Sequence, residues 1–268
     1  MHPIRYCLQV VLGTLCVLLY IESALAQVVL TEEWSTRPTS WSYSSSTKPN
    51  IDTSANSPSG GGALRFTYDA GTYATSTGGG RANYGGLTGS EYYIGHWVKW
   101  SPGFAWNSVG TKIDYWWTRD KSLAKGFFPY IATRVGNNGQ GLTIDVGIDP
   151  IHSRSCNHTS PTFTTGRWYW FELHAKLNTV GSRNGVAEIW VDDVQCMSYT
   201  DVTFIDSPTV WRDLLHSPEW GGIGGTIPAT QYYWLDHTVI SLKRIGRPGS
   251  VTGSDTTSPT PPTNIQVK

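Results

Sequence analysis

The 268-residue sequence carries little charge: 20 basic and 20 acidic side chains, 15% of the chain, with no excess of either sign. A nucleic-acid binder needs a clustered basic surplus, so that class is excluded. Disorder is excluded too, because 13% of residues are aromatic and the net charge is zero. After residue 26 no apolar run is long enough to span a bilayer, which argues against a membrane protein. Cysteine is scarce, at four residues, and neither CxxC nor HxxxH spacing points to a metal site. No segment sustains a 3.6-residue apolar period, which removes the helical classes.

What the chain does hold is 13 Trp, 14 Tyr and 29 Gly, a composition suited to a β-rich domain that presents rings to a ligand. Its first 26 residues read as a secretory signal peptide: Arg5 in the n-region, an apolar stretch from Leu8 to Ile21, and Ala24-Leu25-Ala26 as the cleavage site. The mature chain is therefore expected to be secreted and extracellular. Cys7 and Cys16 leave with the leader, so Cys156 and Cys196 are expected to form one disulfide. Asn157-His158-Thr159 has the form of a glycosylation sequon.

Residues 27–250 read as one all-β domain, a two-sheet antiparallel jelly-roll sandwich with a concave face. Short strands joined by long turns fill 27–90. Stronger strand patterns follow at 91–100, 111–119, 127–135, 141–148, 167–177, 186–194 and 232–243. Val210 to Leu215 reads as one helical turn. Residues 251–268 form a Pro/Thr/Ser linker ending in Thr263–Lys268, which resembles the opening strand of a fibronectin- or immunoglobulin-like module. The chain is expected to be a monomer, or part of a longer multidomain secreted protein.

Successive side chains on a strand point to opposite faces, so alternation separates core from surface. It puts Trp168, Trp170, Glu172, His174 and Lys176 outward on one strand, and Glu188 and Trp190 on the next. It presents Lys112, Asp114 and Trp116 while burying Ile113, Tyr115 and Trp117, and it presents Tyr130 and Arg134. Read as a single face, this set places rings beside charges. That combination suits a sugar, whose apolar ring faces lie on Trp or Tyr while its hydroxyls and carboxylates take directional polar contacts.

Several segments carry a family resemblance. Leu177-Asn178-Thr179-Val180-Gly181 followed by Asn184-Gly185 and Trp190-Val191-Asp192-Asp193 is one, and Phe104-Ala105-Trp106 with Gly110-Thr111-Lys112 is another. Thr133-Arg134-Val135-Gly136-Asn137-Asn138-Gly139 and Tyr233-Trp234-Leu235-Asp236 complete the set. Together they resemble the concanavalin-like jelly-roll polysaccharide lyases of families 14 and 20, the alginate and glucuronan lyase type, over residues 91–247. The chain departs from the family where tyrosines follow the Arg strand, having Thr143, Asp145 and Gly147 there.

The resemblance implies an acidic polysaccharide as partner and β-elimination as chemistry, with no cofactor required. Such a lyase must neutralise a uronate carboxylate, remove the C5 proton and protonate O4. Lys112 and Arg134 would hold the carboxylate, Lys112 doubling as a candidate base, while His174 and Tyr232 would handle protons. Trp116, Tyr130, Trp170, Glu172, Lys176 and Trp190 would bind the polymer. A non-catalytic carbohydrate-binding module remains open, as does a hydrolase using Glu172 and Glu188. Asp192, Asp193 and Asp236 leave room for a structural Ca²⁺.

Overall fold

A computed structural model describes residues 28–44, 48–73, 80–117, 130–221 and 225–249. The expected leader and the 251–268 tail lie outside these residues. Among the described residues fifteen strands follow one another. The N-terminal part supplies β1 (Val28–Glu32), β2 (Ser42–Tyr43), β3 (Asn50–Asp52), β4 (Ala63–Tyr68) and β5 (Ala82–Tyr84). The longer strands then begin with β6 (Glu91–Trp100), β7 (Thr111–Trp117), β8 (Tyr130–Val135), β9 (Leu142–Val146) and β10 (Ser153–Ser155). The last five are β11 (Trp168–Lys176), β12 (Gly185–Val191), β13 (Val194–Val202), β14 (Asp213–His216) and β15 (Gln231–Ser241).

They form two antiparallel sheets, the two-sheet jelly-roll sandwich expected. The eight-stranded sheet runs β13-β12-β11-β6-β15-β4-β3, with β1 also paired to β15. The seven-stranded sheet runs β10-β9-β8-β7-β14-β5-β2. One apolar layer joins them. Ile94, Val98, Trp100, Phe171, Leu173, Ala175 and Leu235 come from the larger sheet, and Ile113, Trp116, Val135, Ile144 and Leu214 from the smaller. Apart from the step between Ile113 and Trp116, these are the alternate positions of each strand, as a period of two requires.

One expected element differs. Residues 213–216 form strand β14 rather than a helical turn, bridging β5 and β7. Tertiary pairing decides here, because an apolar run this short fits either period.

Cys156 and Cys196 are joined, with Cα atoms 5.0 Å apart and a sequence separation of 40. Cys196 lies buried on β13 and ties it to the loop after β10. Replacing both cysteines by serine is expected to cost about 3–4 kcal/mol through the loop entropy regained by the unfolded chain. Urea unfolding of the double variant checks this; an unchanged midpoint would show that the staple carries no stability.

Candidate functional site

Lys112 and Arg134 stand directly opposite each other in the β7–β8 register, as cross-strand neighbours. Between Lys112 and Tyr115 one extra residue bulges β7. A bulge advances the side-chain alternation by one, so Tyr115 shares the outer face with Lys112 and Trp116 turns inward. Two expectations are corrected by this bulge. Trp116 is not a presented ring: it is buried against Trp211, ring centroids 5.5 Å apart. Asp114 is not presented either, lying between the sheets against His96 and His216.

On the outer face the Lys112 ammonium is 2.7 Å from Glu219 Oε2, and the Tyr115 hydroxyl donates to the same oxygen at 3.1 Å. The backbone N–H of Lys112 donates to the Glu219 carbonyl, which fixes the Glu219 segment along the start of β7. Arg134 is 3.1 Å from Asp145 on β9, and Ser153 on β10 donates to that same carboxylate. Gly110, at φ +92°, permits this layout: a Cβ there would lie 2.8 Å from the Arg134 stem and 2.7 Å from the Val135 carbonyl. Leu215 lies opposite Tyr115, and Asn83, paired to Asp213, continues the face across β14 and β5. The face therefore holds two cations, a phenol and three carboxylates on four neighbouring strands and the Glu219 segment. Tyr130 opens β8, but its side chain lies outside the described residues.

The other expected site residues lie on the opposite sheet. His174 and Tyr232 belong to β11 and β15, on the outer face of the eight-stranded sheet, so they do not converge with Lys112 and Arg134. Alternation assigns a residue to the inside or outside of its own sheet and is blind to which sheet that is. His174 is held by Glu188 at 2.8 Å and Glu91 at 3.0 Å and stacks on Tyr93, with ring centroids 4.0 Å apart. Lys176 pairs with Glu91 at 3.2 Å. Tyr232 packs beside Trp234 and under Arg65.

Trp170, Glu172 and Trp190 face outward as alternation requires, yet they do not form a sugar platform. The segment after β15 covers them. Ile245 and Gly246 donate backbone N–H groups to Glu172 at 2.7 and 3.0 Å, and Arg244 lies over Trp190. Trp170 is fully buried over Gly95, where a Cβ would lie 2.2 Å from its ring. Burial pushes the Glu172 carboxyl up, against the two N–H bonds that lower it. Sealed in this way, Glu172 cannot pair with Glu188 across a sugar, which removes the hydrolase pair.

The three aspartates considered for Ca²⁺ do not gather into a site. Asp192 accepts from Arg167 and the Trp170 N–H, Asp193 from the Arg247 N–H, and Asp236 from Ser57 and Ser59. Among the described residues no group of three His, Cys, Asp or Glu side chains is placed to hold a metal ion.

No protein-family model matches the chain, and no curated protein matches it. Solved structures do. The endo-β-1,4-glucuronan lyase from the fungus Trichoderma reesei superposes with a TM-score of 0.60 at 14% identity, covering 81% of this chain and 96% of that one. The marine PL-14 alginate lyase from Aplysia kurodai gives 0.55 at 16% identity, covering 71% and 86%. The cellulose-induced protein Cip1 gives 0.56 at 14% identity, covering 81% and 99%. The chain thus shares the jelly-roll fold of the alginate and glucuronan lyases.

Proposed function

We propose that the protein is a secreted lyase that cleaves a uronate-containing polysaccharide by β-elimination on the outer face of the seven-stranded sheet. The observation that carries this reading is the direct cross-strand pairing of Lys112 with Arg134, with the Tyr115 phenol brought to the same face by the β7 bulge. The shared lyase fold supports it, and the Cys156–Cys196 disulfide supports an oxidising compartment.

In this reading Arg134 takes the uronate carboxylate with its planar fork, and Lys112 adds a second positive charge as negative charge builds toward the enolate. The C5 proton passes to a base on the face, its electron pair forms the C4=C5 bond, and the C4–O4 bond breaks. O4 leaves with a proton. Tyr115, held against Lys112 through Glu219, takes the proton-transfer role expected of His174 and Tyr232. Glu219 and Asp145 hold the two cations until substrate arrives.

Incubation with glucuronan, alginate and pectate, followed by the ultraviolet absorbance of unsaturated uronate ends, tests the proposal. A rise with at least one polymer is expected; none with any of the three would overturn it.

A non-catalytic glycan-binding module is the second reading. One observation favours it: Lys112 and Arg134 are each already paired with a carboxylate, so the face has no uncompensated charge from these residues to offer a uronate.

A further inference from the structure

The outer face of the eight-stranded sheet holds a cleft of about 320 Å³, back to back with the candidate elimination site. Pro58 and Pro248 give it apolar surface, the largely buried Trp97 borders it, and Glu33, Ser59 and His237 supply polar groups. We propose that this cleft is a second binding site, for a neutral pyranose unit of a polysaccharide, and this goes beyond the elimination reading without depending on it.

Backbone strain is concentrated here. Among the described residues six non-glycine residues have left-handed backbone: Trp34, Asn56, Asn138, Asp192, Asp193 and His237. Asp192 and Asp193 form the two-residue β12–β13 hairpin turn, where positive φ is the rule. Trp34, Asn56 and His237, at φ +53°, +48° and +47°, all belong to segments that build the cleft. For a bulky side chain such as Trp34 this conformation is a true outlier, and strain of this kind is retained where the surroundings enforce it, often at binding sites.

At His237 the cause is visible. A bulge in β15 between Asp236 and Val239 adds a residue to the ladder opposite β6. Asp236 and His237 consequently both point outward. Asp236 binds the Ser57 hydroxyl and both the N–H and hydroxyl of Ser59, clipping the loop that carries Pro58 onto the sheet. His237 turns its ring into the cleft, where Nδ1 is 2.8 Å from Glu33 Oε1. The cleft walls are thus fixed before any ligand arrives, which lowers the entropic cost of binding.

The chemistry of the lining selects the ligand. The two prolines, with the small exposed part of the largely buried Trp97, suit the apolar face of a sugar ring, while a carboxylate, an imidazole and a hydroxyl suit its hydroxyl groups. Glu33 is half exposed at the rim, and Arg247, over the Trp97 ring, is 3.9 Å from Asp192. The half-exposed Glu33 carboxylate repels a uronate, and the site fits a neutral sugar.

Isothermal titration of the full chain with neutral β-1,4-linked gluco-, manno- and xylo-hexaoses tests the site. Binding of at least one hexaose is expected, with Lys112→Ala leaving it unchanged. Glu33→Ala and His237→Gly should each weaken it about tenfold or more, the loss of a hydrogen bond involving a charged group. Glycine accepts the left-handed backbone at 237 without penalty, so His237→Gly should keep or raise the melting temperature while losing the ligand. A merely structural role for His237 would not produce that split. The inference is overturned if no neutral hexaose binds, if binding survives both cleft variants, or if Lys112→Ala abolishes it.

Discussion

Replacing Asp114 by alanine is expected to destabilise the protein by about 3–5 kcal/mol, the cost of removing one partner from a buried ionic cluster. Asp114 sits between the sheets, with its carboxylate 2.5 Å from His216 Nδ1 on β14 and 3.0 Å from His96 Nε2 on β6. All three side chains are buried. Burial alone would push the Asp114 carboxyl up, but the His96 and His216 imidazoles outweigh it and hold the group well below the usual carboxylate range. Burial also lowers His216, more than the attraction of Asp114 raises it. The signs then agree. Below about pH 6.5 the unfolded chain takes a proton on the histidine that the folded chain refuses, and nearer pH 4 it takes one on the aspartate as well. Stability should therefore fall as the pH drops from neutral. Urea titrations of the wild type at pH 7.5 and about pH 5, beside Asp114→Ala at neutral pH, check both statements. A variant as stable as the wild type would contradict this account of the cluster.

Lys112→Ala and Tyr115→Phe are each expected to lower the rate of elimination by about 10²-fold or more, the scale of a lost charge stabiliser or proton-transfer group. Neither should unfold the protein. The Lys112–Glu219 pair is only partly buried, on the outer face of its sheet, so its loss should cost far less than breaking a core ion pair. Steady-state kinetics with melting curves on the same samples separate the two effects. His174→Ala, on the opposite sheet, is expected to leave the rate within about twofold, well under the effect of a lost proton-transfer group. A large rate loss from His174→Ala with full rates from Lys112→Ala and Tyr115→Phe would move the site to the other sheet.

The architecture was legible because strand alternation is a local signal. Leu173, Ala175 and Ile189 are buried where the period of two puts them, and β6, β11, β12 and β15 fall on the expected runs. The Cys156–Cys196 bond followed from counting the cysteines left after the expected leader. Lys112 and Arg134 stand in Gly-x-Lys and Arg-x-x-Asn settings, and they are cross-strand partners.

What stayed hidden is non-local. A one-residue bulge exchanged the faces of Tyr115 and Trp116, and its position is set by pairing to β8. Glu219 reaches Lys112 across 107 residues, too far for any window of sequence to connect. His174 and Tyr232 share the outward sense of Lys112 but sit on the other sheet, which only the strand order reveals. Trp170 and Trp190 are outward yet covered, because Glu172 captures the N–H groups of Ile245 and Gly246. The left-handed Asp192 and Asp193 fall inside the run read as a strand, 186–194, and the left-handed His237 inside a strand carried no signal in its neighbours.

The most direct test of the central claim is the mass of the products released from a uronate polymer. Elimination leaves each new non-reducing end one water lighter than hydrolysis does, because the C4=C5 bond forms as O4 departs. Oligosaccharides carrying that deficit, released by the wild type and absent with Lys112→Ala, are the predicted result. Intact polymer retained by the protein, or fragments of full hydrolytic mass, would contradict it.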